Sequence, residues 1–193
     1  MDLELLNLND PNAIIEWEKA LYTAFSKVPG NRIIRSLWLW DDQNQRLAMR
    51  IGYNDQRIYC WRNEQRTITS GIAINVRMHQ FQASAFGFQT PEQEGDTNTH
   101  CEAIAAINSE RWGLTGDFQF RRTVFYDLYK LGFRWDWATT SDRIYHFYQR
   151  MGAELVEEKW IGEERRRLLR FRLHSMGSNA DEVGEVHCPQ VQN

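Results

Sequence analysis

Apolar positions near the start recur with helical spacing: Ile14, Trp17, Leu21 and Phe25 share one side of a segment that Asp10 can cap and Pro11 can open. Pro29-Gly30 is expected to end it. The preceding LELLNL fits a short strand. Residues 31 to 53 stay ambiguous, because IIRSLWLW suits either a short helix or a strand, while RLAMRIGY is more strand-like. From residue 56 the runs become rich in β-branched and aromatic residues: QRIYCWRN and RTITSGIAINVRM predict an antiparallel hairpin, and ASAFGF, 83 to 88, a further strand. A polar loop, 89 to 99, leads into HCEAIAAIN, which is apolar on both faces apart from Glu102, as in a central strand covered on both sides. Helical spacing returns from about 117 to 131, with Phe120, Val124, Phe125, Leu128 and Leu131 on one face and Gly132 at the end. FRWDWATT, 133 to 140, predicts a strand. In SDRIYHFYQRMG, Ser141 is a candidate cap, Ile144, Phe147, Tyr148 and Met151 form one apolar face, and Gly152 suits a left-handed stop. AELVEEKW and RRRLLRFRL predict two last strands, the second with Leu169, Phe171 and Leu173 inward and its arginines in solvent.

These elements predict an α/β chain with one domain over residues 1–174 and a polar tail over 175–193. A net charge of −3 and a pI near 6.0 argue against a nucleic-acid surface. No apolar run approaches the ~20 residues of a spanning helix, and MDLELLNLND lacks a signal-peptide layout, so a cytoplasmic protein is expected. Cys60, Cys101 and Cys188 show neither paired nor metal-ligand spacing, so no structural metal is expected.

The order of strand, helix, hairpin, central strand, helix, strand, helix and two strands, with Tyr148 one turn before Gly152, resembles the GNAT superfamily of acyl-CoA-dependent N-acyltransferases. That family's motif reads Asn-x-x-Ala-x-x-hydrophobic-Tyr-x-x-hydrophobic-Gly-Phe, and here Ser141, Ile144 and Ala153 take the Asn, Ala and Phe places. The resemblance spans residues 2 to 173 and is strongest from 100 onward. It implies an α+β fold: a mixed, mostly antiparallel sheet, helices on both faces, and a splayed parallel pair formed by 100–108 and 133–140. The pantetheine arm of an acyl thioester would lie in that gap. Backbone groups near Ile104, Ala106 and Asn108 would hold the thioester carbonyl, Ser141 would bond the arm, Glu102 would be the general base and Tyr148 the acid for the departing thiolate. Read from the residues alone, Glu102 is a carboxylate whose apolar surroundings raise its pKa, or one solvated or ion-paired near a strand end. His100 is the second candidate base, otherwise a surface residue, and Tyr148 is otherwise a core aromatic.

The family's pyrophosphate loop, Arg/Gln-x-x-Gly-x-Gly/Ala, is altered here. ERWGLTGDFQFRR supplies Arg111, Gly113 and Gly116 at a different spacing, and Asp117 places a carboxylate at the helix start, where it can cap amides that would receive a phosphate. Arg121 and Arg122 restore positive charge there, or form a solvated face. Two donors follow from the resemblance: acyl-CoA, acetyl-CoA included, or an acyl carrier protein thioester, as used by the related N-acyl amino acid synthases and acyl-homoserine-lactone synthases. For the carrier protein, Arg165, Arg166, Arg167, Arg170 and Arg172 offer a basic docking surface. Either donor is a co-substrate, with no permanently bound cofactor, and the acceptor is a small-molecule amine. Trp135 and Trp137, on one strand face, are candidates for an acceptor wall or for core packing. A GNAT-fold module that binds a ligand without turnover is the alternative, and the oligomeric state, including a homodimer, stays open.

Overall fold

The computed structural model describes residues 3–28, 32–89, 97–108 and 113–174. Strand β1 (Glu4–Leu5) precedes helix α1 (Pro11–Phe25), whose N-cap Asp10 accepts the Asn12 amide at 2.9 Å. The ambiguous stretch holds both elements its sequence allowed. A short helix, α2 (Arg32–Leu37), is followed by an antiparallel ribbon of β2 (Leu39–Asp41) and β3 (Arg46–Ala48). The hairpin is β4 (Gln56–Arg62) with β5 (Ile68–Asn75). Then come β6 (His100–Asn108), α3 (Gly113–Lys130), β7 (Trp135–Ser141), α4 (Asp142–Arg150), β8 (Glu154–Ile161) and β9 (Glu164–Arg172).

Seven strands form one sheet in the order β1-β4-β5-β6-β7-β9-β8, antiparallel throughout except for β6 with β7. Two-residue alternation sorts its side chains. Ile58, Cys60 and Ala73 pack with Trp17 and Leu21 of α1, whereas Tyr59, Ile72, Ile74 and Cys101 pack with Phe120, Val124 and Leu128 of α3. Helix α4 lies on the α3 side, where Tyr148 packs with Ala138, Leu169 and Phe171. Helices therefore cover both faces.

Four local expectations are corrected. ASAFGF is not a strand: Gln82–Phe86 forms a 3-10 turn closed by Gly87 at φ +78°. Leu131 is 50% exposed, because the chain has left α3 and turns at Gly132, φ +100°. Arg166 and Arg167 are buried: Arg166 lies over the Phe86 ring, and Arg167, on the other face, is paired with Asp142 of α4 and Glu158 of β8. Ser141 occupies the N-cap position of α4 without a side-chain capping bond; Asp142 instead pairs with Arg165 at 3.0 Å and with Arg167, tying the helix start to β9. Gly152 does take the left-handed conformation, φ +85°. No helix among the described residues is long and apolar enough to cross a membrane.

Candidate acyl-transfer cleft

The decisive irregularity is in β6. Ala105 pairs with Ala73 and Ala103 with Ile74, so Ile104 is an extra residue without a partner on β5. This bulge turns Ile104 and Ala105 both towards α1, while Ala103 and Ala106 face α3 and α4. Strict two-residue alternation would put Glu102, Ile104 and Ala106 on one face; the bulge breaks it, and Ala106 is on the far side. Pairing with β7 runs from His100 opposite Trp135 to Ala103 opposite Ala138 and stops there. Beyond the bulge the two parallel strands diverge.

A cavity of about 200 Å³ occupies the α3–α4 side of this divergence. Ala106 and Asn108 of β6, Asp117 and Arg121 of α3, and Ile144 and Tyr148 of α4 line it. Ile144 is 43% exposed because the α4 face that carries it borders this open cleft. At one end Ser70 Oγ donates to Asn108 Oδ1 at 3.3 Å, and Asn108 Nδ2 donates to Asp117 Oδ1. Asp117 thus reaches across the mouth to β6. Partial burial raises its pKa, while Arg121 and Asn108 pull the other way. At the other end Arg121 Nη2 donates to the Tyr148 hydroxyl at 3.1 Å.

Glu102 lies on the opposite face and is only 1% exposed. Its Oε2 accepts the Gln82 amide and its Oε1 the Ala83 amide, each at 2.8 Å, with Asn75 Nδ2 at 3.4 Å. It therefore caps the 3-10 turn from another strand. Burial pushes its pKa up to about 8, against the pull of those two amides, which favour the carboxylate. Gln82 also donates its side-chain Nε2 to the carbonyl of Ile104, the bulge residue, at 2.9 Å, and accepts Trp38 Nε1 at 2.8 Å. One residue thus fixes both Glu102 and the bulge. Its neighbours Met78, Phe81 and Phe86 anchor this segment on Trp137 and Leu168.

Of the residues named from sequence, Ala106, Asn108, Arg121 and Tyr148 meet in one cavity. Glu102 and Ile104 sit across the sheet from it, and Gly116 and Ser141 are not in its lining. Gly113 begins α3, and Arg111 lies outside the described residues. His100 is buried and not at the surface: the Trp137 indole donates to its Nδ1 at 3.1 Å and stacks on it. Trp135 and Trp137 pack on the Glu102 face and do not border the cleft. Four arginines of β9 named as a docking surface are met by carboxylates: Arg165 by Asp142 at 3.0 Å, Arg166 by Glu164 at 2.9 Å, Arg167 by Glu158 at 2.7 Å and Arg170 by Glu154 at 2.7 Å. Sequence reading missed Gln82, Asn75 and Asp136. Asp136 alone had a signal, as a carboxylate inside the aromatic run of β7; it is fully buried, which pushes its pKa up to about 7.

No protein-family model matches the chain, and no curated protein matches it by sequence. Its fold is shared with solved structures. The CoA-dependent acyl-homoserine lactone synthase BjaI, solved with SAM and isopentyl-CoA, superposes with a TM-score of 0.64 at 11% identity, over 82% of this chain and 76% of that one. The AHL synthase LasI gives 0.63 at 15% identity over 90% of each chain. The ribosomal-protein-S18-alanine N-acetyltransferase from Escherichia coli gives 0.56 at 8% identity, over 92% of this chain and 97% of that one. The chain has the GNAT fold, with likeness to both the acyl-homoserine lactone synthases and the acetyltransferases.

Proposed function

We propose that the protein is an N-acyltransferase that moves an acyl group from a thioester to the amine of a small molecule by direct attack. The observation that carries this reading is the splayed β6–β7 pair, which opens into a cavity ending at the Tyr148 hydroxyl. Beyond Ala103, β6 loses its β7 partner, which leaves strand edge for an extended pantetheine arm to follow and amides to polarise a thioester carbonyl. Tyr148 protonates the leaving thiolate. Glu102, on the acceptor side of the gap, takes the amine proton through water, since its carboxylate is sealed by the 3-10 turn. The donor is an acyl-CoA, a reading supported by the fold shared with BjaI, a CoA-dependent synthase solved with isopentyl-CoA. The carrier-protein donor draws less support, because Arg165, Arg166, Arg167 and Arg170 are already committed to carboxylates. A ligand-binding module without turnover has one observation in its favour: Glu102 serves fully as a cap.

Amine-dependent release of free thiol from acetyl- to long-chain acyl-CoAs, with mass spectrometry of the amide formed, separates these readings. Turnover is expected, and Tyr148→Phe should lower it by roughly a hundredfold. Donor binding without thiol release, unchanged in Tyr148→Phe, would establish the binding module instead.

A further inference from the structure

Arg121 lines the cleft from α3. It turns along α3 towards α4, where its guanidinium carbon lies 4.9 Å from the centre of the Tyr148 ring and its Nη2 donates to the hydroxyl at 3.1 Å. A phenol hydroxyl has one proton to give and lone pairs to receive one. With Arg121 on a lone pair, the hydroxyl proton is directed elsewhere, and Tyr148 borders the cavity. Two carboxylates interact with the same guanidinium. Asp117 is one turn earlier on α3, and Asp136 is buried on β7. Asp136 Oδ1 has a weak thiol donor, Cys101 Sγ, at 3.7 Å, and its Oδ2 has no hydrogen-bond partner among the described residues. Arg121 thus spends a donor group on Tyr148 while the Asp117 and Asp136 carboxylates attract its charge.

The geometry points to Arg121 as a positioning residue for the leaving group, an inference that rests on the thioester-transfer reading: it orients the Tyr148 proton towards the departing sulfur and offsets the charge left on the phenol oxygen. As the amine nitrogen bonds to the thioester carbon, the carbon–sulfur bond breaks with its electron pair on sulfur, and the Tyr148 proton moves to that sulfur. The amine proton passes to Glu102 and then to solvent, and Tyr148 is reprotonated from solvent.

The test compares wild type, Arg121→Met, Arg121→Lys and Tyr148→Phe on two donors, an alkyl thioester (acyl-CoA) and an aryl thioester whose thiolate leaves unprotonated. Methionine keeps much of the packing of the arginine stem. Arg121→Met should lower kcat on the alkyl donor by about tenfold or more with KM nearly unchanged, and should recover on the aryl donor. Arg121→Lys should retain part of the alkyl rate, and adding Arg121→Met to Tyr148→Phe should cost little more than Tyr148→Phe alone. Equal losses on both donors would mean general damage to the cleft and would overturn the role of Arg121, as would a wild-type rate in Arg121→Met. Absence of turnover of either donor by the wild type would overturn the transfer reading and this role with it.

Discussion

Glu102 and Asp136 are two buried carboxylates on neighbouring strands, facing opposite sides of the sheet, and each is charged at a cost. Desolvation dominates both, pushing Glu102 up to about 8 and Asp136 up to about 7, and the Asp136 charge adds to the rise at Glu102. An unfolded chain would ionise them near about 4. The folded protein therefore holds more protons between about pH 4 and pH 8, and its stability falls as pH rises through that window. The exposed, ion-paired Asp42 and Asp142 are held below the ordinary carboxylate range and act in the opposite sense, but only in more acidic solution. Urea denaturation should thus give a lower stability at pH 8 than at pH 5.5, and Asp136→Asn should shrink that difference by on the order of 2 kcal/mol. An unaltered slope in Asp136→Asn would show that this carboxylate does not titrate there. The apolar neighbours of Glu102 made burial one of the two settings its sequence allowed, the other being a solvated or ion-paired place near a strand end. The setting of Asp136 went unread because Trp135 and Trp137, on the opposite strand face, were the residues of β7 weighed, as an acceptor wall or as core.

At the scale of elements, Gly71 on β5 shows what brings α1 against the sheet. Its partners are Cys60 on β4 and Ile107 on β6, and a Cβ built on it would overlap the indole of Trp17, which is wholly buried. Only the missing side chain lets Trp17 lie this close to the strand. Gly71→Ala should therefore destabilise the fold by about 1–3 kcal/mol, read as a lower urea midpoint with an unchanged slope. A midpoint equal to wild type would show that the indole has room to move. Helices were the readable elements here: α1 announces itself through its Asp10 cap and apolar spacing, and α4 through apolar spacing and its stop glycine, Gly152, while Pro29-Gly30, expected to end α1, lies outside the described residues. The features that shape the cleft left no such trace. A one-residue bulge inside HCEAIAAIN is invisible because every neighbour is apolar, so inserting a residue changes no hydropathy pattern. The 3-10 turn at Gln82–Phe86 was read as a strand because Phe86 and Phe88 fall two residues apart, whereas the buried pair of the turn itself, Ala83 and Phe86, is three apart. Its actual conformation depends on Glu102 from another strand accepting its first amides, a contact that local sequence cannot encode.

Across the whole molecule, the sheet separates the groups assigned to the two proton transfers. Glu102 is under the 3-10 turn on the α1 side, whereas Tyr148 and Arg121 are on the α3–α4 side. A reaction using both needs a passage through the sheet, and the gap beyond Ala103 and Ala138 is where β6 and β7 part. The N-terminal elements are wired to the same place, since Trp38 after α2 bonds Gln82, which bonds the bulge carbonyl. That region is thereby linked to the bulge peptide, which the proposed reaction uses to hold the thioester. Ala106 offers a way to test the passage without touching either proton-transfer group. It borders the cleft on the α3 face, beside the exit from the bulge, and has only a methyl group there. Ala106→Phe should fill much of a cavity of about 200 Å³ and abolish both the rise in Tm given by acyl-CoA and thiol release, while the melting temperature without ligand stays close to wild type. Retained donor stabilisation and turnover in this variant would mean that the thioester enters elsewhere, and the splayed strands would then be an inherited feature of the fold with no part in the chemistry.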